Sequence, residues 1–411
     1  MQRVIVRFLD LLEHVRRAWL EGRPQQVIVR CAGGGHRVRL AEGRFWSAAH
    51  CRACGAKVDA SRLRRVGRWL VNLWAPTSAA RLQRGLWVSV GGYLLLTLVS
   101  AACLWLLADR WWPATTLLFG PRWLLLLPLG LLVPGALLWD RPLTVPLALA
   151  GFVALGPVMG FRAGWHRLFV SSDPVHDLRV MSFNAMGGSA LTLSPAELLL
   201  AWNLDIAAFQ ECNERLRLSV QGLQGWHTDT RAGFCFVSRF PILDAAEMER
   251  ESLQGAGGSG VVVTYRLDLN GRQVRVTNVH LETPRAGLGA LREGRLSEGI
   301  FWLREKSFLR EIELRRARHW VHQFTGPQLV MGDFNTPPES QIFRAAWSDW
   351  TNAFSLGGRG FGGSRHNGWI RARIDHILLS DDWTVVRSWL GPDIGSDHVP
   401  MLAEIRLRSR D

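Results

Sequence analysis

Three long apolar runs dominate the middle of the chain, at residues 85–108, 116–139 and 142–161. Each is about as long as the ~20 residues that an α-helix needs to cross the ~30 Å hydrocarbon layer of a bilayer. Tryptophans stand near the ends of the runs, as they do in the aromatic belts at membrane interfaces. Buried core helices are the alternative, but three such runs in succession favour a membrane region at 83–162 with three transmembrane helices.

The distribution of arginine around these runs predicts their orientation. Six arginines lie between positions 62 and 84, ahead of the first run, whereas the loop after it contains only Arg110 before Arg122. Because positively charged flanks stay on the cytoplasmic side, we expect the N-terminus in the cytoplasm. Three crossings then place everything after position 161 outside a bacterial-type plasma (inner) membrane, although three arginines after the last run oppose this orientation.

The N-terminal region, residues 1–82, contains a cluster of thiols. Two cysteines separated by two residues and followed by glycine form a metal-binding knuckle, and a third cysteine and a histidine complete a tetrahedral ligand set. The predicted ligands of a structural Zn²⁺ are Cys31, His36, Cys51 and Cys54, with His50 as the alternative to His36. If zinc is bound, residues 31–54 form a zinc-ribbon-like motif that would bind a cytoplasmic protein partner. The other interpretation is that these cysteines are free or redox-active thiols.

From residue 177 onward, short β-like runs alternate with helical ones. The predicted helices are "SPAELLLAW", which opens with a Ser194–Glu197 capping box, and "SEGIFWLREKSFLREIELRRARHWVHQF". The predicted strands are "LRVMSFNAM", "DIAAFQE", "GFCFVSR", "GVVVTYRLDL", "QVRVTNVHLE", "QLVMGDFN", "ARIDHILLS" and "MLAEIRL". This pattern indicates one α+β domain with two packed sheets at 177–411, joined to the membrane region by a linker at 163–176.

The net charge adds little to this picture. The chain has 49 Lys+Arg against 35 Asp+Glu, a formal charge of +14, and only two of the basic residues are lysines. A basic balance suits anionic partners such as nucleic acid, phosphate or acidic lipid. Arginine usage from a GC-rich genome explains the same numbers.

Polar residues of one chemical kind stand at the ends of six of the predicted strands. Asn and Asp often end strands and a buried His is usually hydrogen-bonded, so each residue alone has a structural explanation. Their recurrence at six strand ends predicts one shared site. In chain order these residues are Asn184, Gln210, Glu211, Asn278, His280, Asp333, Asn335, Asp375, His376, Ser396, Asp397 and His398.

These segments resemble the endonuclease/exonuclease/phosphatase superfamily, also described as deoxyribonuclease-I-like. The signatures FN, QE, NVHL, GDFN, RIDHI and SDHxP stand in the family's order over about residues 178–409. The resemblance implies a four-layered α/β sandwich, two packed mixed sheets flanked by helices, with the active site at one end of the sheets. It also implies Mg²⁺- or Mn²⁺-dependent hydrolysis of a phosphodiester or phosphomonoester.

The chemistry of phosphate-ester hydrolysis predicts the metal ligands. A hard divalent cation screens the phosphate charge and prefers oxygen ligands. Glu211 is the predicted direct ligand, Asn184 is an amide beside it, and Asp397 is a second acid near the metal.

The remaining strand-end residues are the predicted catalytic groups. His398 is the expected general base, and the resemblance makes Asp375 its carboxylate partner and His280 a phosphate-binding or acid group. Asp333 would orient the attacking water, and Asn335 would donate to the developing oxygens of the phosphate. Sequence gives no distances, so Asp333 and His398 are interchangeable as the base.

The substrate stays open at this stage. The glycine-rich stretch "GGRGFGGSRHNGW" predicts a mobile loop whose Arg365, His366 and Asn367 are candidate substrate contacts. Nucleic acid and a phospholipid head group compete as phosphodiester substrates, and a non-catalytic membrane scaffold or sensor is the alternative function. Cys212 and Cys235 are free to pair if the domain lies outside, but the sequence does not fix their separation.

Overall fold

A computed structural model describes residues 27–30, 37–40, 49–50, 57–58, 76–173, 177–188, 190–368 and 370–408, with side chains from position 82 onward except that of Asn367. In the N-terminal region, strand β1 (Val27–Arg30) pairs with β2 (Arg37–Leu40), and β3 (Ala49–His50) pairs with β4 (Lys57–Val58), both antiparallel. The predicted zinc ligands Cys31, His36, Cys51 and Cys54 lie outside the described residues, as does the side chain of His50.

Three helical stretches are long and apolar enough to cross a membrane, at Leu82–Leu106, Arg122–Trp139 and Arg141–Val158. In chain order, the region contains α1 (Pro76–Leu106), α2 (Trp112–Phe119), a 3₁₀ turn at Arg122–Leu126, α3 (Leu129–Trp139), a 3₁₀ turn at Arg141–Leu143, α4 (Thr144–Val153) and a π-helical turn at Ala154–Val158. The residues expected to extend the second span towards the N-terminus instead form much of α2, which ends at Gly120.

The chain divides into two compact units. The first comprises Met1–Leu96 and Leu126–Gly151, and the second comprises Thr97–Leu125 and Phe152–Asp411. In the first unit, α1 packs on α3 and α4 through a cluster that includes Val90, Tyr93 and Ala136. Asp140, after α3, accepts hydrogen bonds from the side chains of Gln83 and Trp87 in α1.

The second unit contains two six-stranded mixed sheets. Its strands are β5 (Leu178–Asn184), β6 (Ile206–Gln210), β7 (His227–Arg231), β8 (Phe234–Ser238), β9 (Ile242–Glu247), β10 (Val261–Leu269), β11 (Arg272–His280), β12 (Gln328–Asp333), β13 (Thr351–Asn352), β14 (Arg365–Asn367), β15 (Ile370–Ala372), β16 (Asp375–Leu379), β17 (Trp383–Leu390) and β18 (Met401–Leu407). The first sheet has the order β13-β16-β12-β11-β10-β9 and the second β17-β18-β5-β6-β8-β7, while β14 and β15 form a separate hairpin.

Helices cover the outer faces of both sheets. They are α5 (Pro195–Ala201), α6 (Glu214–Gln221), α7 (Glu251–Gly255), α8 (Arg285–Arg292), α9 (Leu296–His322), α10 (Gln341–Trp347) and α11 (Ala353–Gly357), with 3₁₀ turns at Trp165–Leu168 and Met186–Gly188. Between the sheets lies a core with Phe236 stacked on Tyr265 at 3.9 Å. Further clusters join α9 and α10 to the first sheet, and α5 and α6 to the second. The predicted four-layered sandwich is therefore confirmed.

The sequence located eight strands but missed others, including β17, whose side chains are buried or partly buried. Each of the eight predicted strands is present, and the capping box forms between Ser194 and Glu197 at the start of α5. The strands β7 and β9 were not predicted because their side chains are partly or fully exposed and alternate poorly.

The second unit includes the ends of the apolar helices nearest to the sandwich. Leu104, Leu118 and Val158 pack with Ile374 in one buried cluster. Asp109, in the loop after α1, forms an ion pair with the completely buried Arg310 of α9, at 3.1 Å between Nη2 and Oδ1. A fragment that begins at residue 177 would lose this partner and leave Arg310 without the Asp109 carboxylate.

Candidate active site

The ends of the parallel strands β5 and β6 form one wall of the site. Asn184 is the last residue of β5, and Glu211 follows β6 directly. Carboxyl ends of neighbouring parallel strands meet at the same edge of a sheet, and Asn184 Nδ2 indeed donates to Glu211 Oε1 at 2.9 Å. Glu211 has a φ of +52°, a left-handed conformation that is uncommon for residues other than glycine and often marks a functional position.

The opposite wall comes from the first sheet, where β11 and β12 are also parallel. His280 and Asp333 end these strands and are register partners. His280 Nε2 lies 3.8 Å from Asp333 Oδ2 and 3.7 Å from Glu211 Oε1. Asn184 Nδ2 donates to Asp333 Oδ2 at 3.1 Å, so the two sheets meet at this point.

Gly332 is required for the approach of β12 to β11. Its φ is +148°, and a Cβ atom there would lie only 2.0 Å from the backbone oxygen of Val279. The close neighbour of Gly332 is thus the adjacent strand β11. A glycine at this position therefore fixes where Asp333 leaves the sheet.

His398 and Asp375 complete a buried cluster with Asp333. Asp375 begins β16, directly across the antiparallel ladder from Asp333. His398 Nδ1 lies 2.8 Å from Asp375 Oδ2, and its Nε2 lies 3.7 Å from Asp333 Oδ2. Ser396 supports this arrangement because its hydroxyl donates to the Asn184 carbonyl at 2.8 Å and accepts the His398 backbone N–H at 3.1 Å.

The electrostatics of the cluster favour a charged imidazole and a basic carboxylate. Burial opposes protonation of His398, but the Asp375 and Asp333 carboxylates outweigh it and raise the pKa of His398 to about 9. Burial, and then the neighbouring Asp375, raise the pKa of Asp333 above its ordinary value. Both shifts favour proton binding in this cluster, so Asp333 and His398 are both candidate proton acceptors.

The oxygen-rich donor set fits a hard divalent cation. The ligand atoms of Asp333, Asp375 and His398 all lie within 4.8 Å of one another. Asp375 Oδ1 is buried and has no hydrogen-bond partner among the described residues. The half-exposed Glu211 carboxylate adds a further oxygen donor at the same edge. Carboxylates gathered without an arginine between them are stabilised by Mg²⁺ or Mn²⁺.

Asp397, predicted as a metal-proximal acid, is engaged by arginines. Its Oδ2 lies 3.0 Å from Arg365 Nη2 and 3.7 Å from Arg285 Nη2. Burial opposes ionisation of Asp397, but His398 and Arg365 outweigh it and lower its pKa. Its Oδ1 is 3.9 Å from His398 Nε2, so Asp397 lies at the border of the buried cluster.

The glycine-rich stretch is more ordered than a mobile loop. Residues 365–367 pair with Ile370–Ala372 as the hairpin β14–β15, and Arg365 reaches Asp397 from it. The His366 backbone N–H donates to the Asp397 carbonyl at 2.8 Å, and its ring Nε2 lies 3.2 Å from the Gly363 carbonyl. The side chain of Asn367 lies outside the described residues.

Asn335 is close to Asp333 but does not continue the strand. The strand β12 ends at Asp333, and Asn335 has a φ of +48°. Its backbone N–H donates to Asp333 Oδ1 at 2.9 Å, and its Nδ2 donates to the Leu281 carbonyl at 2.8 Å. Turn chemistry, rather than strand alternation, brings these two residues together.

Several supporting residues escaped the sequence-based assignment. Arg285 at the start of α8 carries no motif signal, and the buried Ser364 accepts the backbone N–H groups of Ile374 and Asp375 at 3.2 and 3.1 Å. Gln210 and Asn278, which stand in the QE and NVHL signatures, join the two sheets below the site through a 2.7 Å hydrogen bond. Their signatures could have indicated this scaffold role.

A disulfide stands directly behind Glu211. Cys212 follows Glu211 in the chain and bonds to Cys235 of β8, with Cα atoms 5.6 Å apart. The sequence left this pairing open. The bond ties the loop that presents Glu211 to the adjacent strand of the second sheet.

The comparisons with known proteins agree with this arrangement. A family model described as "Endonuclease/Exonuclease/phosphatase family" matches residues 181–398, more than half of the chain. No curated protein matches the sequence.

Several solved structures are similar to this chain at low identity. D. rerio TDP2 complexed with a single-strand DNA product is 15% identical, with 56% of this chain and 99% of that chain covered and a TM-score of 0.43. The human Nocturnin catalytic domain with bound sulfate is 18% identical, with 59% and 98% covered and a TM-score of 0.39. An endonuclease/exonuclease/phosphatase from Beutenbergia cavernae is 18% identical, with 56% and 72% covered and a TM-score of 0.39.

Proposed function

The chain belongs to the endonuclease/exonuclease/phosphatase family, and on that premise we propose that it is a membrane-anchored, divalent-metal-dependent phosphoesterase. The family generally hydrolyses phosphoester bonds and depends on a divalent metal. The observation that carries the proposal is the buried cluster of Asp333, Asp375 and His398 at the edge where both sheets end. A degenerate, non-catalytic domain would be expected to have lost some of these groups.

The proposal gives each member of the cluster a separate role, which its position in the cluster supports. Asp333 accepts a proton from the attacking water, because its raised pKa makes it a better base than an ordinary carboxylate. His398, oriented by Asp375, presents its charged Nε2 to the phosphate oxygens. His280 stands across from them and binds phosphate or donates a proton. Glu211 and Asn184 would hold the metal, which supplies charge neutralisation when bound.

Two observations support an extracytoplasmic catalytic domain. Disulfides persist in oxidising compartments, and Cys212–Cys235 is bonded. The loop after the first apolar helix packs on the sandwich through Asp109 and Arg310, so loop and sandwich share one side, as three crossings require. Together with the arginines before the first run, this supports the proposed cytoplasmic N-terminus. A cytoplasmic signal from a reporter fused after Asp411 would contradict this topology.

The activity is tested with the full chain in detergent. We expect hydrolysis in Mg²⁺ or Mn²⁺ of at least one of plasmid DNA, RNA, sphingomyelin, phosphatidylinositol phosphates and a bis-aryl phosphodiester, and its loss in EDTA. Asp333→Asn and His398→Gln should abolish it. The matched controls are Asp349→Asn, an exposed acid, and His322→Gln, at the exposed end of α9. Folded protein without turnover of any substrate would favour the scaffold or sensor alternative.

The N-terminal region is proposed to hold structural zinc. The strand pairs β1–β2 and β3–β4 flank the two segments that carry the predicted ligands. We expect about one Zn²⁺ per chain by elemental analysis, and its loss in Cys51→Ser/Cys54→Ser. Zinc retained in that variant would contradict the assignment.

A further inference from the structure

A second cavity lies beside the candidate active site, within the second compact unit. Its volume is about 790 Å³, which is within the ~300–1,000 Å³ range of small-molecule sites. Five arginines and one carboxylate, Asp393, contribute its charged lining. The arginines are Arg122, Arg167, Arg359, Arg371 and Arg373.

Two of these arginines are buried and share one carboxylate. Arg122 Nη1 lies 3.0 Å from Glu339 Oε2 and also donates to the Val158 carbonyl at 2.7 Å. Arg373 reaches Glu339 Oε1 only at 3.8 Å, and none of its guanidinium nitrogens has a hydrogen-bond partner among the described residues. Two guanidinium groups against one carboxylate leave a buried net positive charge.

This excess charge is costly without a further anion. Arg373 is only 2% exposed, and its burial lowers its pKa to about 10 despite Glu339. A buried guanidinium with unused N–H groups is stabilised when an anion with several oxygens accepts from them. The N–H groups of Arg373 that lack a partner thus indicate that the cavity binds an anion.

The other three arginines add charge that no acid neutralises. Arg167, Arg359 and Arg371 are exposed and have no ion pair within the described part of the chain. Arg359 and Arg371 flank the β14 hairpin strand, and Arg167 lies in the 3₁₀ turn Trp165–Leu168. The cavity therefore presents positive charge both at its buried arginines and at its exposed ones.

The cavity lies where two of the apolar helical stretches end. Its lining includes Trp123, at the start of the second stretch, and Met159, just after the third. Large apolar side chains beside it face solvent: Trp165, Leu168 and Phe169 are 70%, 72% and 84% exposed. Exposed aromatic and aliphatic groups next to arginines are typical of a surface that sits in the head-group region of a bilayer.

The cavity is distinct from the candidate active site. None of the proposed catalytic or metal-binding residues lines it, although His366, a candidate substrate contact, does. The two are neighbours nonetheless, because Val399 of the cavity follows His398 and the His366 backbone N–H bonds to Asp397.

We propose that this cavity binds the head group of an anionic phospholipid, with the phosphate held by Arg122, Arg373 and the exposed arginines. The proposal uses the membrane placement given under the proposed function. Charge complementarity selects an anion, and the adjoining ends of the apolar helices select a lipid over a soluble polyanion. The lipid would brace the wall that the cavity shares with the candidate active site.

The test is isothermal titration of the full chain in an uncharged detergent with EDTA present. The probes are dihexanoyl phosphatidylglycerol, dihexanoyl phosphatidylcholine, inorganic phosphate and a single-stranded oligonucleotide. We expect phosphatidylglycerol to bind at least about tenfold more tightly than each of the others, because a charge-assisted hydrogen bond contributes about a factor of ten or more. EDTA keeps the measurement independent of hydrolysis.

The variant Arg359→Gln/Arg371→Gln should weaken phosphatidylglycerol binding by about tenfold or more, since it removes two charges without altering the buried arginines. Its matched control, Arg215→Gln/Arg292→Gln, removes two exposed arginines that do not line the cavity and should bind as the wild type does.

Three results would overturn the proposal. Equal binding of the two lipids would remove the charge argument, and phosphate binding as tightly as phosphatidylglycerol would identify a free-anion site. Oligonucleotide binding that the cavity variant alone loses would identify a nucleic-acid surface. Failure of the phosphoesterase activity would leave these binding results unchanged, so the two proposals fail separately.

Discussion

Two buried charged clusters lie a few residues apart in the sequence, and their net charges have opposite signs. Asp333, Asp375 and His398 gather more carboxylate than cation, whereas Arg122 and Arg373 share the single carboxylate of Glu339. Arg373 and Asp375 are separated by one residue, yet one belongs to each cluster. Because an uncompensated buried charge is expensive, each imbalance points to a ligand of the opposite sign. The carboxylate cluster fits a cation and the arginine cavity fits an anion.

A third buried charged group, the ion pair of Arg310 with Asp109, has its cation in direct contact with a carboxylate. Arg310 and Asp109 face each other at 3.1 Å, and the Ser340 hydroxyl donates to the second Asp109 oxygen at 2.5 Å. The buried acids Glu282 and Glu313 also act on Arg310, so this cation does not lack counter-charge, and the pair lines neither the cavity nor the catalytic cluster. We infer that it serves structure, and the predictions below separate this role from the other two.

The largest expected effect is on turnover. Asp333→Asn keeps the shape of the side chain but removes the proposed proton acceptor, so we expect the hydrolysis rate to fall by about 10³-fold or more. Lipid affinity should be unchanged, since Asp333 does not line the cavity. Steady-state hydrolysis and lipid titration of one preparation check both statements. Parallel loss of the two properties would show that the clusters are not independent.

The next effect is on stability. Asp109→Ala leaves Arg310 completely buried without its counter-ion, and we expect unfolding free energy to fall by about 3–5 kcal/mol. Glu311→Ala, which removes the partner of the exposed Arg315 on the same helix, is the control and should change it by less than about 1 kcal/mol. Chemical denaturation in detergent gives both values. An equal response of the two variants would refute the structural role of the buried pair.

The third prediction concerns the effect of the disulfide on stability and on the metal requirement of the carboxylate cluster. Cys212→Ser/Cys235→Ser releases the loop behind Glu211, and we expect a loss of about 2–4 kcal/mol in stability. Turnover should also show a higher metal requirement, because Glu211 is then held less firmly. A metal titration of activity tests this, with the reduced wild type expected to behave like the variant. An unchanged metal requirement would mean that the loop is fixed by other contacts.

The smallest expected effect is on the stability of an Arg373 variant, and it bears most directly on the comparison of the two buried clusters. Arg373→Met replaces a buried charge that lacks a hydrogen-bond partner with an apolar chain of similar length, so stability should change by less than about 1 kcal/mol or rise. Lipid binding should nevertheless weaken. A large destabilisation would show that the protein already compensates the charge of Arg373. The argument that Arg373 binds an anionic ligand would then fail.

The fold could be predicted from the sequence because many of the buried strands are recognisable from the apolar residues that they themselves contain. Val261–Leu269 and Gln328–Asp333 are apolar runs bounded by turn residues, and they form β10 and β12 as expected. The polar strand His227–Arg231 depends on its neighbour β8 rather than on its own pattern, so it was missed.

The candidate site was found for a related reason. Its residues stand at strand ends in a fixed order, so motif and geometry coincide at Asp333 and His398. The arginine cavity has no such motif, because it combines Arg122 with Arg167, Arg359 and Arg373 from separate segments. The Asp109–Arg310 pair joins residues about 200 positions apart, a contact that only the folded chain reveals.

The segment that follows the third apolar stretch is bonded to the sandwich. Arg162 exchanges two backbone hydrogen bonds of 2.8 Å with Gly360, and His166 Nε2 lies 2.8 Å from the Val385 carbonyl. Under the membrane anchoring proposed above, the enzyme would meet its substrates by lateral diffusion. Its encounters would then be governed by the surface density of what it meets rather than by concentration in the surrounding solution.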